Sequence, residues 1–283
     1  MALSLQFSND TFQYHPLEWF AVEGGHGGAE ALGFRFAPGG VHLTKTMMLN
    51  ELTAVLSRVP DCDPATVQDT VLADNLLGKP TGTARRLVLS RLNALYGILK
   101  PRPIQIAALR LWSRNVTGRP LLALLCALAR EPLLRQSAPA VLDVPPGALV
   151  QWPDLASAVV VGYPDRYSPK MLRSLAQNCA SSWTQSGHLE GRARKRRRLA
   201  EPSPDVAAYA ALLGSIVGFG GPALLRSPWM RPLDRSEADL LSLLRRAESG
   251  GLARVKAGGG VAQIDVRRPM AQLLEIPDLA DRG

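Results

Sequence analysis

Three dipeptides constrain this chain more than any other feature: Asp63-Pro64, Ser168-Pro169 and Ser203-Pro204. In each, a short oxygen-bearing side chain can accept from the free N–H groups of a helix start. The proline that follows suits the first turn, where no N–H partner is needed. Apolar residues then recur every three to four positions, as one face of a helix requires. Val67, Val71 and Leu72 follow the first; Met171, Leu172, Leu175, Cys179 and Trp183 the second; Tyr209, Leu212, Leu213, Ile216 and Val217 the third. The expectation is a mainly α protein.

Further helices fill the spaces between. Thr44–Arg58 carries Met47, Met48, Leu52, Val55 and Leu56 on one face. Thr81 or Thr83 caps a helix over Ala84–Leu99, with Leu87, Val88, Leu92 and Leu95 inward. Ile104–Trp112, Pro120–Arg130 and Leu133–Leu142 read as helices, and Trp152–Val161 as another short one. The most apolar run, Leu121–Ala129, is shorter than the ~20 residues of a membrane span and suits a buried core helix. Gly187 suits a left-handed stop, after which His188-Leu189-Glu190 begins a strand. Asp234-x-x-Glu237 fits a capping box ahead of Leu240, Leu241, Leu243 and Leu244. Two short alternating runs then flank Gly258-Gly259-Gly260 as a hairpin.

The units that follow are an N-terminal arm (1–41), an all-helical domain (42–142), a helix-turn-helix-like unit (143–191), a basic linker (192–204), a C-terminal winged-helix-like unit (205–268) and a tail (269–283). The fold class is thus a helical bundle followed by winged helix-turn-helix-like units with a short β-hairpin wing. In the arm, Phe7, Phe12, Tyr14, Trp19, Phe20, Phe34 and Phe36 are suited to pinning it on a neighbour. Gly24-Gly25-His26-Gly27-Gly28 reads as a flexible turn.

Charge is concentrated. The formal net charge is +9, and 27 of the 33 basic residues are Arg, the side chain best suited to bidentate phosphate contacts. GC-rich codon usage is the competing explanation. The run Arg192–Arg198 carries six cations and no acid; without it the chain would stand at +3. Charges this dense repel one another, so exposure is expected. Double-stranded DNA attracts such a strip by counterion release. The candidate contacts are Arg192, Arg194, Lys195, Arg196, Arg197 and Arg198. Lys170, Arg173 and Gln177 on the helix after Ser168 add to them, with Arg85, Arg86 and Arg91 as a second basic face. The competing readings are a solvated charge run or, in a eukaryotic chain, a nuclear import signal. Asn75 and Thr83 read as helix-end caps.

Other chemistry finds no pattern. Three separated cysteines (Cys62, Cys126, Cys179) make no disulfide framework and suit a reducing cytoplasm. Four histidines show no metal-ligand spacing. Gly78-Lys79-Pro80-Thr81 lacks the upstream glycine of a phosphate loop, and Pro80 fills the hydroxyl position. No secretion signal or membrane segment is recognisable. No residue invites a catalytic, cofactor or metal role, so the chain reads as non-enzymatic. An assembly adaptor docking through residues 1–40 and a stand-alone, dimeric winged-helix repressor are the other functional readings.

The strings Leu43-Thr44-Lys45, Glu51-Leu52, Asp74-Asn75-Leu76-Leu77-Gly78-Lys79, Thr81-Gly82-Thr83-Ala84-Arg85-Arg86 and Leu92-Asn93-Ala94-Leu95-Tyr96 resemble the BrxA family of bacterial BREX phage-defence systems. The helix over Leu121–Arg130 and the helix-turn-strand over Ser168–Gly191 follow that family's order. The resemblance spans about residues 43–191, and the chain resembles a longer, divergent member with an added basic linker and C-terminal unit. It implies a small DNA-binding component without catalysis of its own. It also implies partners: a methyltransferase, an ATPase, a PglZ-like phosphatase and BrxB.

Overall fold

A computed structural model describes residues 25–258 and 261–280. The described chain is mainly helical, with two small antiparallel sheets. It opens with α1 (His26–Leu32), where the sequence suggested a flexible turn. Gly27 and Gly28 each weaken a helix by roughly 1 kcal/mol. The offset is local packing: His26 stacks on Phe36 at 3.9 Å, Ala29 is buried, and Phe34 meets Trp229 edge-on at 5.2 Å. The remaining arm aromatics (Phe7, Phe12, Tyr14, Trp19, Phe20) lie outside the described residues.

A 3-10 turn at Val41–Leu43 leads to α2 (Leu49–Arg58). The helix expected from Thr44 starts five residues late. Met48 sits at φ 57°, and the Met47 and Leu49 N–H groups donate to Ser182 Oγ and Gln185 Oε1, both at 2.9 Å. Tertiary acceptors thus replace a first helical turn. Next come α3 (Pro64–Leu72) and α4 (Gly82–Tyr96). Asp63 Oδ2 accepts from Thr66 N at 2.8 Å, and Thr81 Oγ1, not Thr83, accepts from Ala84 N at 3.1 Å. Leu87, expected inside, is 47% exposed. Asn75, at φ 54°, accepts from Lys79 N through its side chain.

α5 (Pro103–Trp112) and α6 (Arg119–Arg130) follow. Every residue of Leu121–Ala129 is buried, because α6 packs against α4, α5 and α11 (Pro204–Ile216). The single helix expected over Leu133–Leu142 is two: α7 (Pro132–Gln136) and α8 (Pro139–Leu142). Pro139 has no N–H to continue the ladder.

The middle of the chain runs β1 (Leu149–Val150), α9 (Trp152–Gly162), α10 (Pro169–Gln185), β2 (Leu189–Glu190) and β3 (Lys195–Arg197). The three strands are antiparallel in the order β1-β3-β2, with Leu149 opposite Arg196 and Leu189 opposite Arg197. On α10 the buried stripe begins at Leu175; Met171 is exposed and Leu172 only half-buried. Three residues of the run 192–204, read as a linker, therefore form the central strand of a sheet.

After α11 come α12 (Gly221–Leu225), a 3-10 segment at Pro228–Leu233, α13 (Glu237–Ser249), and the hairpin β4 (Arg254–Gly258) and β5 (Val261–Asp265). The capping box expected at Asp234-x-x-Glu237 is absent. Ser236 caps α13, its Oγ accepting from Asp239 N at 3.2 Å, while Asp234 is engaged elsewhere. Residues 269–280, read as tail, are folded. α14 (Arg267–Leu273) and a 3-10 turn at Pro277–Leu279 bury Met270, Ala271, Ile276 and Leu279. One apolar core extends from Ala29 to Leu279. Tyr209 donates to the Ile104 carbonyl at 3.0 Å, Arg231 pairs with Asp143, and His188 Nε2 donates to the Pro232 carbonyl at 2.8 Å. No described helix is long and apolar enough to cross a membrane.

Candidate nucleic-acid interface

α10 follows the turn after α9, and Ser168 caps it by accepting from Met171 N. Lys170, Arg173, Ser174 and Gln177 are exposed on it, at the three- and four-residue spacings of one helix face. α10 contains no Asp or Glu. The Arg173 guanidinium lies 5.3 Å from the centre of the Trp152 ring, which is itself 39% exposed at the start of α9. Stacking holds the cation in place without neutralising it. Arg166, in the turn before α10, is exposed beside Tyr167.

The run Arg192–Arg198 splits into exposed and inward-facing members, against the expectation that all of it is exposed. Gly191, at φ 98°, starts a tight turn; a side chain there would collide with the Arg194 carbonyl. Arg192 and Arg194 on this turn are exposed. Once β3 begins, side chains alternate between faces. Lys195 turns back to α10, where Nζ donates to Thr184 Oγ1 at 2.7 Å; burial pulls its pKa down. Arg196 is exposed and donates to the Gly147 carbonyl at 2.7 Å. Arg197 points inward and is 2% exposed. It pairs with Asp234, whose Oδ2 also accepts from Ala200 N at 2.8 Å. Arg197 is therefore a structural cation, out of reach of any phosphate. Arg198 pairs with Glu190 at 3.1 Å on the surface.

The second basic face expected on α4 is only partly exposed. Arg85 Nη1 donates to the Leu72 carbonyl at 2.8 Å and so closes the end of α3. Arg91 is half-buried and donates to Thr44 Oγ1 at 3.0 Å. Arg86 alone of the three is exposed. The sequence reading missed Trp152, Arg166 and Ser174. A tryptophan immediately before Pro153 at a helix start was the available signal for the first.

Three buried polar groups lie in series beneath this face. Glu131 Oε2 stands 3.2 Å from His42 Nδ1, and His42 Nε2 2.9 Å from Ser182 Oγ. The order is that of a serine hydrolase triad, but all three side chains are buried and Ser182 Oγ also receives the Met47 N–H. Burial opposes ionisation of Glu131, yet its hydrogen bonds from His42 outweigh that and hold the carboxyl below its ordinary value. The array clamps α10 to the 3-10 turn at Val41–Leu43. Among the described residues, no group of three His, Cys, Asp or Glu side chains is arranged to hold a metal.

No protein-family model matches this sequence, and no curated protein matches it at a significant level.

Proposed function

We propose that this protein is a non-catalytic DNA-binding component of a BREX-type phage-defence system, gripping the duplex backbone through α10 and the turn between β2 and β3. The observation that carries the reading is the acid-free outer face of α10, with Lys170, Arg173 and Gln177 in register. Arg192 and Arg194 stand on the loop of the adjoining sheet. The succession β1–α9–α10–β2–β3 with strand order 1-3-2 supports a winged-helix reading, in which α10 is the groove helix and residues 191–194 the wing. Topology alone does not select DNA over protein, but charge favours DNA here. The BREX assignment rests on the BrxA-like strings of residues 43–96. On it, BrxB, the PglZ-like protein, the ATPase and the methyltransferase are the expected partners.

The C-terminal unit supports a second role, as a protein adaptor. Its helix α13 carries Glu237 and Asp239 in its first turn, which would repel phosphate. The test is fluorescence anisotropy with a labelled duplex in dilute salt. Replacing Lys170, Arg173 and Gln177 with Ala weakens binding at least tenfold, whereas Glu237→Ala and Asp239→Ala do not. Equal affinity of wild type and the α10 variant would refute the interface.

A further inference from the structure

A cleft of about 310 Å³ opens between α4, the end of α6 and the 3-10 turn at Val41–Leu43. The residues that matter are Arg35, Thr44, Ser90, Arg91, Arg130 and Glu131. We infer that this cleft is a binding site for a dianionic phosphate, either inorganic phosphate or the terminal phosphate of a small monoester.

Three arginines and one carboxylate, Glu131, line the cleft. That carboxylate already receives the backbone N–H and ring of His42, and Arg35 approaches it only to 3.9 Å. Two positive charges are left unmatched in a recess. Each arginine is held by few bonds. Arg91 donates to Thr44 Oγ1 at 3.0 Å; Arg130 donates to the Ala94 and Gly33 carbonyls, and Arg35 to those of Gly39 and Pro38. A guanidinium has five donors, so each retains N–H groups for an anion. Gly40, at φ 127°, lets the backbone pack directly against Glu131 and Arg35, with which any side chain there would collide. Burial depresses the Arg91 pKa, and burial, with smaller contributions from Arg35 and Arg102, depresses that of Arg130 against the opposing pull of Cys126 and Glu131.

The charge count selects the ligand. A phosphodiester brings one negative charge, whereas a phosphate monoester brings about 1.5 to 2 near neutral pH and three acceptor oxygens. The recess is at the small end of ligand pockets. It is lined by α4 and α6 rather than by the α10 face, so it is independent of the duplex site.

The test is calorimetric titration of the full chain with inorganic phosphate, at constant ionic strength held with chloride. Saturable millimolar or tighter binding is expected. Arg91→Gln and, separately, Ser90→Glu each weaken it at least tenfold; the second changes only an exposed helix position and keeps the test valid if the first misfolds. The Lys170→Ala, Arg173→Ala double variant keeps phosphate binding and loses duplex binding, so the two sites fail separately. A nucleoside 5′-monophosphate binding at least tenfold tighter than phosphate assigns the site to an organic ester, and equal affinity assigns it to free phosphate. Absence of wild-type binding, or equal binding by Ser90→Glu, overturns the inference. So does loss of phosphate binding in the α10 variant.

Discussion

Arg197→Ala separates the two kinds of arginine within one basic run. Arg197 is 2% exposed and its partner Asp234 has a side chain 7% exposed. Removing one member of a buried pair leaves the other charge uncompensated, a loss of about 3–5 kcal/mol. Asp234 keeps the Ala200 N–H, which places the expected value near 3. For a chain of this size that is a fall in Tm of roughly 6 °C or more. Arg192→Ala should cost less than about 0.5 kcal/mol, as for any exposed side chain without a packed role. The assay is urea denaturation followed by tryptophan fluorescence, alongside the salt dependence of duplex affinity for each variant. Arg197→Ala should lower stability and leave the slope of log K against log salt unchanged. Arg192→Ala should leave stability unchanged and reduce the slope by about 0.9. A stability loss below about 1 kcal/mol for Arg197→Ala, or a slope change like that of Arg192→Ala, refutes the argument.

His188 gives a pH signature. Burial pushes its pKa down to about 4, so the folded state binds its proton less readily than the unfolded chain does at 6.5. Stability from this group is full above about 6.5 and is lost as pH falls towards 4, by up to about 3 kcal/mol; denaturation of wild type against His188→Gln isolates it as the difference between the two pH curves. Arg85→Ala should cost about 1–2 kcal/mol by freeing the Leu72 carbonyl, with no change in duplex affinity, measured by the same two assays. Burial raises the thiols of Cys62, Cys126 and Cys179, to about 11, 11 and 12. Iodoacetamide at pH 8 should therefore label the folded protein far more slowly than the protein in guanidinium, read by mass spectrometry.

What was legible in the sequence was local. Asp63, Thr81, Ser168 and Ser203 cap their helices because each acceptor lies three residues from its donor. The hairpin β4–β5 was legible for the same reason. What was hidden depends on distant partners. Arg197 is buried because Asp234, 37 residues away, meets it. That pairing also removes Asp234 from the capping role its spacing suggested. Arg85 looks like a free surface cation until the end of α3 is brought to it. Thr44–Met48 has helical spacing but is held open by side chains from α10, more than 130 residues on. Within the candidate site, the α10 residues were readable from periodicity, whereas the basic run was not. Like charges predict exposure only where no strand or acid intervenes.

The salt dependence of duplex affinity tests the central claim most directly. The exposed cations on α10, on the turn between β2 and β3 and on β3 itself are Lys170, Arg173, Arg192, Arg194 and Arg196. If all five displace counterions, log K falls against log salt with a slope of about −4.5. The expected wild-type slope is near that value, lowered by about 1.8 when Arg192 and Arg194 are replaced with Ala. No duplex binding in 50 mM salt, or a slope indifferent to these residues, would contradict it.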